Sequence, residues 1–303
     1  MKFNYLSESD KAYYIHKAST LVEALPYIRL HSKKNIVIKY GGHAMGNRDL
    51  AIKFAQDISL LKEVGINPII VHGGGPQIGK MLKKKNIKSN FYDGLRVSDT
   101  ETVKIVEKVL SKEINKKIVK DINLTGGKAE SFSGNKNNLI IANKLNMLIK
   151  DSDSNIEKIL DLGFVGVPKK INTKDIQNSI KKGNIPVIAP LGIDKKGNTY
   201  NINADTVAGA IAGSIKASKL LLLTDVDGIL DQNKKLISSL SFKKAKKIIN
   251  KEYIQGGMKP KISTCINAIE KGVKEATILD GRIPHAIILE LFTEHGIGTQ
   301  IYT

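Results

Sequence analysis

Ile36-Val37-Ile38-Lys39-Tyr40-Gly41-Gly42 combines a short apolar strand with a glycine turn, and Ile69-Ile70-Val71-His72-Gly73-Gly74-Gly75 repeats this arrangement further along the chain. A turn without side chains lets an anionic ligand approach the backbone N–H groups closely. Two such turns on consecutive parallel strands open into the same crevice at the carboxyl edge of the sheet. Because Lys39 adds a positive charge there, the pattern favours a phosphate ligand and a small-molecule kinase.

Apolar runs rich in Ile, Val and Leu recur along the chain, and they are Asn35–Lys39, Pro68–Val71, Leu139–Ala142, Pro186–Ala189, Leu220–Thr224 and Ala276–Asp280. Runs that are apolar throughout are typical of parallel strands covered on both faces. Between them, helical patterns span Arg48–Val64, Pro76–Lys85, Asp99–Ile122, Ala204–Ile215 and Pro260–Gly272. The sequence therefore predicts an α/β fold, a three-layer αβα sandwich with a mostly parallel open sheet and two lobes.

The chain of 303 residues divides into three predicted segments. Residues 1–34 form an N-terminal helical extension, whose apolar face must cover apolar surface in this chain or another; its members are Tyr14, Ala18, Leu21, Val22 and Leu25. Residues 35–200 and 201–303 form an N-terminal and a C-terminal lobe. The polar stretches Asp151–Lys158 and Gly192–Thr199 are predicted as loops or hairpins.

The chain is strongly basic, with 48 Lys and Arg against 29 Asp and Glu and a net charge of +19. Such a charge attracts polyanions whatever the fold, so a polyanion-binding protein without catalysis is an alternative function. Aromatic residues make up only 5% of the chain and do not interleave with the lysines, which argues against nucleic-acid binding. The single Cys265 and the lack of a signal-like or membrane-spanning apolar stretch predict a cytoplasmic protein without a membrane partner.

Neither glycine turn matches a common nucleotide-binding fingerprint. Gly41 and Gly46 have the spacing of a P-loop, but Asn47-Arg48 stands where that motif needs Lys followed by Ser or Thr. Ile78 occupies the position of the third glycine of the dinucleotide fingerprint. We therefore expect neither a Walker-type NTPase nor a dinucleotide-binding protein.

The sequence also lacks a recognisable metal-ligand set. It contains no His-Glu-x-x-His and no pair of cysteines, and the stretch after Asp225-Val226-Asp227-Gly228 lacks the later acids of a calcium loop. His72 is expected to shape its turn instead of acting as a ligand or a base. Any metal should therefore come with the nucleotide.

Two lysines near a predicted helix start indicate a further anion site. Lys259 and Lys261 lie in Gly256-Gly257-Met258-Lys259-Pro260-Lys261, at the end of a helix whose dipole repels cations. This placement is explained either by a bound anion or by screening in solvent, and for Lys259 we favour screening.

Three other polar residues have both a structural and a functional interpretation. Asn203 suits the N-cap and Asp205 the first turn of an alanine-rich helix. Arg96 has the geometry to bind a carboxylate in a bidentate manner, or to pair with an acid on the surface. The residue pattern alone leaves both interpretations open.

Taken in order, the motifs of residues 30–303 resemble the signature series of the amino acid kinase family; they are Lys39-Tyr40-Gly41-Gly42, His72-Gly73-Gly74-Gly75, Gly94-Leu95-Arg96-Val97, Asn201-Ile202-Asn203-Ala204-Asp205, Leu223-Thr224-Asp225-Val226-Asp227-Gly228 and Gly256-Gly257-Met258-Lys259-Pro260-Lys261. The members that phosphorylate N-acetyl-L-glutamate in arginine biosynthesis are the most similar. The resemblance implies transfer of phosphate from ATP to the side-chain carboxylate of N-acetyl-L-glutamate, with Mg²⁺ carried by the ATP phosphates. Members acting on aspartate, glutamate, carbamate or UMP are the alternatives within the family.

The resemblance also implies roles for individual residues. It implies catalytic roles for Lys39, Lys261 and Asp205, substrate contacts for Gly74, Gly75, Arg96 and Asn201, and ATP contacts for Gly41, Gly42, Thr224 and Asp225. Asp205 would orient both lysines, Lys261 and not Lys259 being in register, and Arg96 would bind the substrate α-carboxylate. The N-terminal lobe would bind the amino acid and the C-terminal lobe the nucleotide.

The two ends of the chain resemble the regulatory parts of arginine-inhibited members. The N-terminal extension is similar to the one that joins dimers into a hexamer, so we expect a homo-oligomer, either a dimer or a trimer of dimers. The C-terminal region is similar to their arginine-binding region, with His285, Glu290 and Gly296 as candidate contacts for L-arginine as an inhibitor. The alternative is a C-terminal helix and turn that simply pack on their own lobe.

Overall fold

The computed structural model describes residues 3–150 and 157–303. Its strands are β1 (Asn35–Tyr40), β2 (Asn67–His72), β3 (Phe91–Tyr92), β4 (Leu95–Arg96), β5 (Ala129–Ser133), β6 (Ile140–Lys150), β7 (Glu157–Ile171), β8 (Ile185–Ala189), β9 (Leu191–Ile193), β10 (Thr199–Ile202), β11 (Lys219–Thr224), β12 (Ser239–Ser241), β13 (Glu275–Asp280) and β14 (Thr299–Tyr302).

The α-helices are α1 (Glu8–Glu23), α2 (Leu25–His31), α3 (Arg48–Glu63), α4 (Gly75–Lys84), α5 (Thr100–Glu107), α6 (Asn115–Leu124), α7 (Lys174–Lys181), α8 (Ala204–Ser214), α9 (Phe242–Ile248), α10 (Met258–Glu270) and α11 (Ala286–Phe292). A π-helical segment, Lys108–Ile114, joins α5 to α6. Two 3₁₀ turns complete the helices, Phe3–Tyr5 and Gly42–Met45.

The main sheet has eight strands in the order β12-β14-β13-β11-β1-β2-β8-β5. Its neighbours are parallel except β13 and β14, which are antiparallel. The strand β1 lies between β11 and β2, so the sheet runs without a break from the N-terminal half of the chain to the C-terminal half. The predicted α/β fold with a mostly parallel open sheet is therefore confirmed.

Both faces of the sheet are covered, which explains why its strands are apolar throughout. In β1, Ile36 and Ile38 belong to the core on the α3 side of the sheet. Val37 between them belongs to the core on the opposite side, where α8 and α10 pack. All three side chains are fully buried, and each contributes about 1.5–3 kcal/mol to the free energy of unfolding.

A second sheet contains β6, β7, β9 and β10, and it corrects one prediction. The run Leu139–Ala142 was expected in the parallel sheet, but it leads into β6, which pairs antiparallel with β7. The edge position in the main sheet is occupied instead by β5, next to β8. An edge strand is half exposed and needs no aliphatic run, so Ala129–Ser133 carries none and escaped prediction.

The predicted loops have different outcomes. Gly192–Thr199 forms the hairpin between β9 and β10, in which Asp194 accepts hydrogen bonds from the N–H groups of Lys196 and Asn198. For the predicted loop Asp151–Lys158, residues 151–156 lie outside the described residues, and Glu157 and Lys158 belong to β7. The hairpin is confirmed.

The N-terminal extension consists of α1 and α2. All of α1 lies within the described range, and none of its side chains is buried. Leu21 and Val22 on its apolar face are 76% and 68% exposed, so this face covers no apolar surface in the part of the chain that the structure describes. Tyr27 and Ile28 of α2, in contrast, pack against the core on the α3 side. None of the helices in the described ranges has both the length and the apolar character required to cross a membrane.

Candidate active site

The two glycine turns meet at one cavity of about 220 Å³ at the carboxyl ends of β1 and β2. Eight of the predicted site residues line it: Lys39, Gly41, Gly42, Gly74, Gly75, Arg96, Asn201 and Asp205. They come from β1, β4, β10, α4, α8 and the adjoining turns, so the cavity depends on the whole fold. A second cavity of similar size, between α3 and α6, is mainly apolar and contains none of these residues.

Asp205 holds the two lysines that come from opposite ends of the chain. It lies in the first turn of α8, where the Asn203 side chain caps the helix by accepting hydrogen bonds from the N–H groups of Asp205 and Thr206. The Nζ atom of Lys39 lies 3.0 Å from Oδ1 of Asp205, and the Nζ atom of Lys261 lies 2.5 Å from Oδ2. One carboxylate therefore aligns two ammonium groups at the cavity.

The two ammonium groups keep the carboxylate of Asp205 ionised. Burial alone would raise the pKa of Asp205, but the ammonium groups of Lys39 and Lys261 lower it to about 2. The two lysine side chains are only 11% and 14% exposed, so solvent screens them weakly. The group carries a net charge of +1, which favours a negatively charged ligand in the adjoining cavity.

The structure distinguishes the two lysines at the start of α10. The side chain of Lys261 reaches Asp205, whereas Lys259 is exposed and forms no ion pair in the described part of the chain. The geometry agrees with Lys261 as the lysine in register, and its catalytic role stays a prediction.

The first glycine turn is shaped by two charged side chains. A Cβ atom at Gly41 would lie 3.0 Å from the Nζ atom of Lys39. Gly42 has a φ of +72°, and a Cβ there would overlap the carboxylate of Asp225. Gly42 therefore has to be glycine, a Cβ at Gly41 would push against the Lys39 ammonium group, and Asp225, just after β11, lies beside the turn. Thr224, the last residue of β11, is buried next to it.

Arg96 is held at the opposite wall of the cavity. Its Nη1 donates to Ser89 Oγ, its Nη2 donates to the Gly75 carbonyl at 3.0 Å, and its Cζ lies 4.5 Å from the centre of the Phe91 ring. Burial lowers the pKa of Arg96. Within residues 3–150 and 157–303 it forms no ion pair, so a buried guanidinium faces the cavity without an anionic partner.

Sequence reasoning missed Ser89 and Phe91, although a signal for Phe91 was present. Asp93-Gly94 is a strong hairpin signal, since both residues of the turn need a positive φ. The structure gives them φ values of 47° and 74° and pairs Phe91 directly opposite Arg96. Placing the hairpin from the Asp-Gly signal would have brought the two side chains together.

The three candidate arginine contacts fall into two places. His285 has its Nδ1 atom 2.6 Å from Oδ1 of the buried Asp57 on α3. Glu290 lies elsewhere on α11, paired with the buried Lys219 at 3.0 Å, and its Oε2 accepts a hydrogen bond from the N–H of Ile297. Gly296 adjoins Glu290, because a Cβ at Gly296 would lie 2.7 Å from Oε2 of that residue.

Residues 34–280 match the amino acid kinase family. The chain belongs to this family. The resemblance expected from the six motifs is therefore confirmed, and the fold of the amino acid kinases accounts for the open sheet and the cleft at its carboxyl edge.

The similarity to one amino acid kinase extends over almost the whole chain. The acetylglutamate kinase of Rhodospirillum centenum is 55% identical over 288 residues, which cover 95% of this chain and 94% of that protein. Among solved structures, the N-acetylglutamate synthase of Neisseria gonorrhoeae in complex with coenzyme A and N-acetyl-glutamate superposes with a TM-score of 0.80 at 26% identity, covering 94% of this chain and 63% of that one. The same synthase in complex with coenzyme A and L-arginine gives a TM-score of 0.75 at 26% identity, covering 94% and 65%.

Proposed function

We propose that this chain transfers the γ-phosphoryl group of ATP to the side-chain carboxylate of N-acetyl-L-glutamate, giving N-acetyl-L-glutamyl 5-phosphate and ADP in arginine biosynthesis. The observation that carries the proposal is the pair of ammonium groups, Lys39 and Lys261, held by Asp205 at the cavity between the glycine turns. The 55% identity to an acetylglutamate kinase supports the choice of substrate.

The reaction needs charge neutralisation more than proton transfer. A carboxylate oxygen of the substrate attacks the γ-phosphorus, and the bond from that phosphorus to the β,γ-bridging oxygen breaks, which releases ADP. Because the carboxylate is already ionised at neutral pH, no general base is required. Lys39 and Lys261 would offset the negative charge on the transferred group and the leaving group, and Asp205 would keep both in place.

The walls of the cavity suggest how the two substrates are oriented. Arg96 has no anionic partner among the described residues, and its fixed guanidinium would bind the α-carboxylate of N-acetyl-L-glutamate. Gly74, Gly75 and Asn201 line the same cavity and would contact the rest of the substrate. ATP would approach from the other side; the residues proposed to contact it are Gly41, Gly42, Thr224 and Asp225.

Mg²⁺ would enter as part of the nucleotide substrate. In the described segments, no cluster of three or more His, Cys, Asp or Glu side chains has the geometry to hold a metal ion. Both carboxylate oxygens of Asp205 already face lysines. Phosphate oxygens and water are therefore the proposed ligands of the ion.

In this proposal the two lobes bind different substrates. Residues 35–200 would form the substrate lobe, with the glycine turns and Arg96. Residues 201–303 would form the nucleotide lobe, with Asp205 and Lys261. β1 of the first lobe pairs with β11 of the second, and the cavity lies at the carboxyl end of β1.

The terminal segments support a regulatory proposal, namely feedback inhibition by L-arginine of a homo-oligomeric cytoplasmic enzyme. The apolar face of α1, including Leu21 and Val22, is open to a second copy of the chain, as a dimer or a hexamer built from dimers would require. His31 ends α2 near Lys219, since burial and the charge of that lysine lower the pKa of His31. The extension thus reaches the cluster around Glu290, and the arginine-bound synthase has a related fold.

The test is a direct assay with purified protein and Mg-ATP. N-acetyl-L-glutamate, L-glutamate, L-aspartate and carbamate are supplied in parallel, the acyl phosphate is trapped with hydroxylamine, and ADP release is measured separately. The proposal predicts hydroxamate formation with N-acetyl-L-glutamate and little with the other acceptors. Preference for one of the others would reassign the substrate, and ADP release without hydroxamate would contradict acyl phosphate formation. A final titration with L-arginine tests the inhibition.

A further inference from the structure

The second glycine turn is attached to a buried polar network that the proposed chemistry does not use. His72, the last residue of β2, is fully buried, and its Nδ1 atom lies 2.9 Å from the carbonyl oxygen of Gly73. Its Nε2 atom lies 3.1 Å from Nδ2 of Asn115, which is also fully buried. Asn115 begins α6, directly after the π-helical segment.

The neighbours of Asn115 determine which nitrogen of His72 carries the proton. The amide nitrogen of Asn115 faces the carbonyl oxygens of Phe132 and Val187, at 3.2 and 2.9 Å, and carbonyls only accept hydrogen bonds. The amide oxygen accepts a hydrogen bond from Ser131 Oγ at 2.6 Å. The two amide hydrogens are shared among these two carbonyls and Nε2 of His72, so Nε2 faces an NH₂ group and carries no proton of its own.

The proton of the neutral ring is thus on Nδ1, which donates to the carbonyl of Gly73. Burial lowers the pKa of His72 to about 4, so the ring is neutral at physiological pH. The hydrogen-bond network therefore allows the His72 ring one state, the neutral ring with its proton on Nδ1.

This hydrogen bond sets the direction of the next backbone N–H. In a trans peptide the C=O of one residue and the N–H of the next point in opposite directions, so a fixed Gly73 carbonyl fixes the Gly74 N–H. Gly74 is buried and lines the cavity, and among the residues that the structure describes no acceptor takes its N–H. A buried donor without a partner is expensive unless a ligand satisfies it.

We infer that His72 and Asn115 are positioning residues, which aim the Gly74 N–H at the anionic oxygens of the reacting substrates through the Gly73 carbonyl. The π-helical segment holds the turn from the other side, because Leu110 and Ile114 leave no room for a Cβ at Gly74. The inference rests on the proposed phosphoryl transfer, to which it adds the means of orienting one backbone donor.

The ring tautomer is measured without any substrate. In protein labelled with ¹⁵N-histidine, a long-range ¹H–¹⁵N spectrum at pH 7 distinguishes the two neutral tautomers, and the His72 signals are those missing from the His72→Gln variant. The expected result is the Nδ1–H form, retained at pH 5. An Nε2–H ring or a protonated ring at pH 5 overturns the inference, whether or not the protein proves to be a kinase.

Two substitutions separate positioning from general stability. His72→Asn places an amide donor near the place of Nδ1, beside the Gly73 carbonyl, and His72→Gln places its amide near the place of Nε2, away from that carbonyl. Both remove the buried ring, so both should lower the thermal unfolding midpoint. We expect kcat to fall by about threefold in His72→Asn and by on the order of 30-fold in His72→Gln, which is less than the loss on removing a donor outright.

The Michaelis constant for ATP should stay within about twofold in both variants, because the aimed N–H acts on the transition state. Equal losses of kcat in the two variants, or losses that follow only the unfolding midpoints, would contradict the inference. Wild-type protein without kinase activity would contradict the proposed function instead, and the tautomer measurement would still decide the geometry.

Discussion

The Nζ atom of Lys261 lies 2.5 Å from Oδ2 of Asp205, although 56 residues separate them along the chain. The contact requires α8 and α10 to approach closely. Gly209 on α8 permits this, because a Cβ there would lie 2.7 Å from Cγ2 of Thr264 on α10. A helix contact away from the cavity therefore sets the position of one ammonium group, and through Asp205 it is tied to Lys39 on β1.

The two lysines of α10 provide a matched pair of substitutions. Lys261→Ala removes an ammonium group that would face the transferred phosphoryl group in the proposed reaction, so kcat should fall by on the order of 10²-fold or more. Lys259→Ala removes an equal charge from an exposed side chain and should change kcat by less than about twofold. The hydroxamate assay measures both. A Lys259→Ala variant as inactive as Lys261→Ala would show that the motif has been aligned wrongly.

Removing Asp205 should destabilise the protein as well as inactivate it. Asp205→Asn leaves two weakly screened ammonium groups side by side without a counter-charge, and breaking such a buried pair lowers the free energy of unfolding by about 3–5 kcal/mol. Urea unfolding measures this change. In the double variant Asp205→Asn, Lys39→Met, one of the repelling charges is gone, so part of the stability should return while kcat stays low. Recovery of activity in the double variant would contradict the catalytic role of Lys39.

The strands and helices were largely predictable from the sequence, because their patterns follow from burial. A strand such as Leu220–Thr224 is apolar throughout since both of its faces are covered. The edge strand Ala129–Ser133 was not predictable from an apolar run, because none of its side chains is fully buried and polar residues are tolerated there. The pairing of Lys261 with Asp205 depends on how two helices pack, which no local pattern encodes, and only the resemblance to a family brought these residues together.

Arg96 should affect the amino acid substrate and leave the nucleotide unaffected. Arg96→Lys keeps the positive charge but loses the bidentate geometry and the contacts with the Gly75 carbonyl and the Phe91 ring. The Michaelis constant for N-acetyl-L-glutamate should rise by about 10- to 100-fold, which corresponds to about 1.4–2.7 kcal/mol. The Michaelis constant for ATP should stay within about twofold. Steady-state kinetics with each substrate varied in turn measures both values, and an equal rise in the two would place Arg96 outside the amino acid site.

His72 should make the stability of the protein depend on pH between about 6.5 and 4. Its pKa is lowered from 6.5 to about 4 in the folded protein, so in this interval the unfolded chain binds a proton that the folded one does not. The free energy of unfolding therefore falls as the pH decreases from 6.5 to 4, by about 3 kcal/mol from this residue. Denaturant unfolding of wild type and His72→Gln at several pH values tests this. Every other titrating group is present in both proteins. The difference in free energy of unfolding between wild type and His72→Gln should therefore shrink by about 3 kcal/mol toward pH 4. A difference that stays constant with pH would mean that the buried ring is not held neutral.

The exposed face of α1 should control assembly and arginine sensitivity without affecting the chemistry. Leu21 and Val22 are 76% and 68% exposed, and replacing both with Glu places two charges where a second copy of the chain would pack. The substitutions Ser9→Glu and Thr20→Glu add the same charges on the opposite side of the helix and serve as the control. Light scattering should show a smaller assembly only for the Leu21→Glu, Val22→Glu variant. That variant should need more L-arginine for half-inhibition, while its kcat without arginine stays within about twofold because no residue of α1 lines the cavity. If the assembly shrinks and the arginine response does not change, the extension joins subunits but takes no part in regulation; if neither changes, its apolar face has another partner.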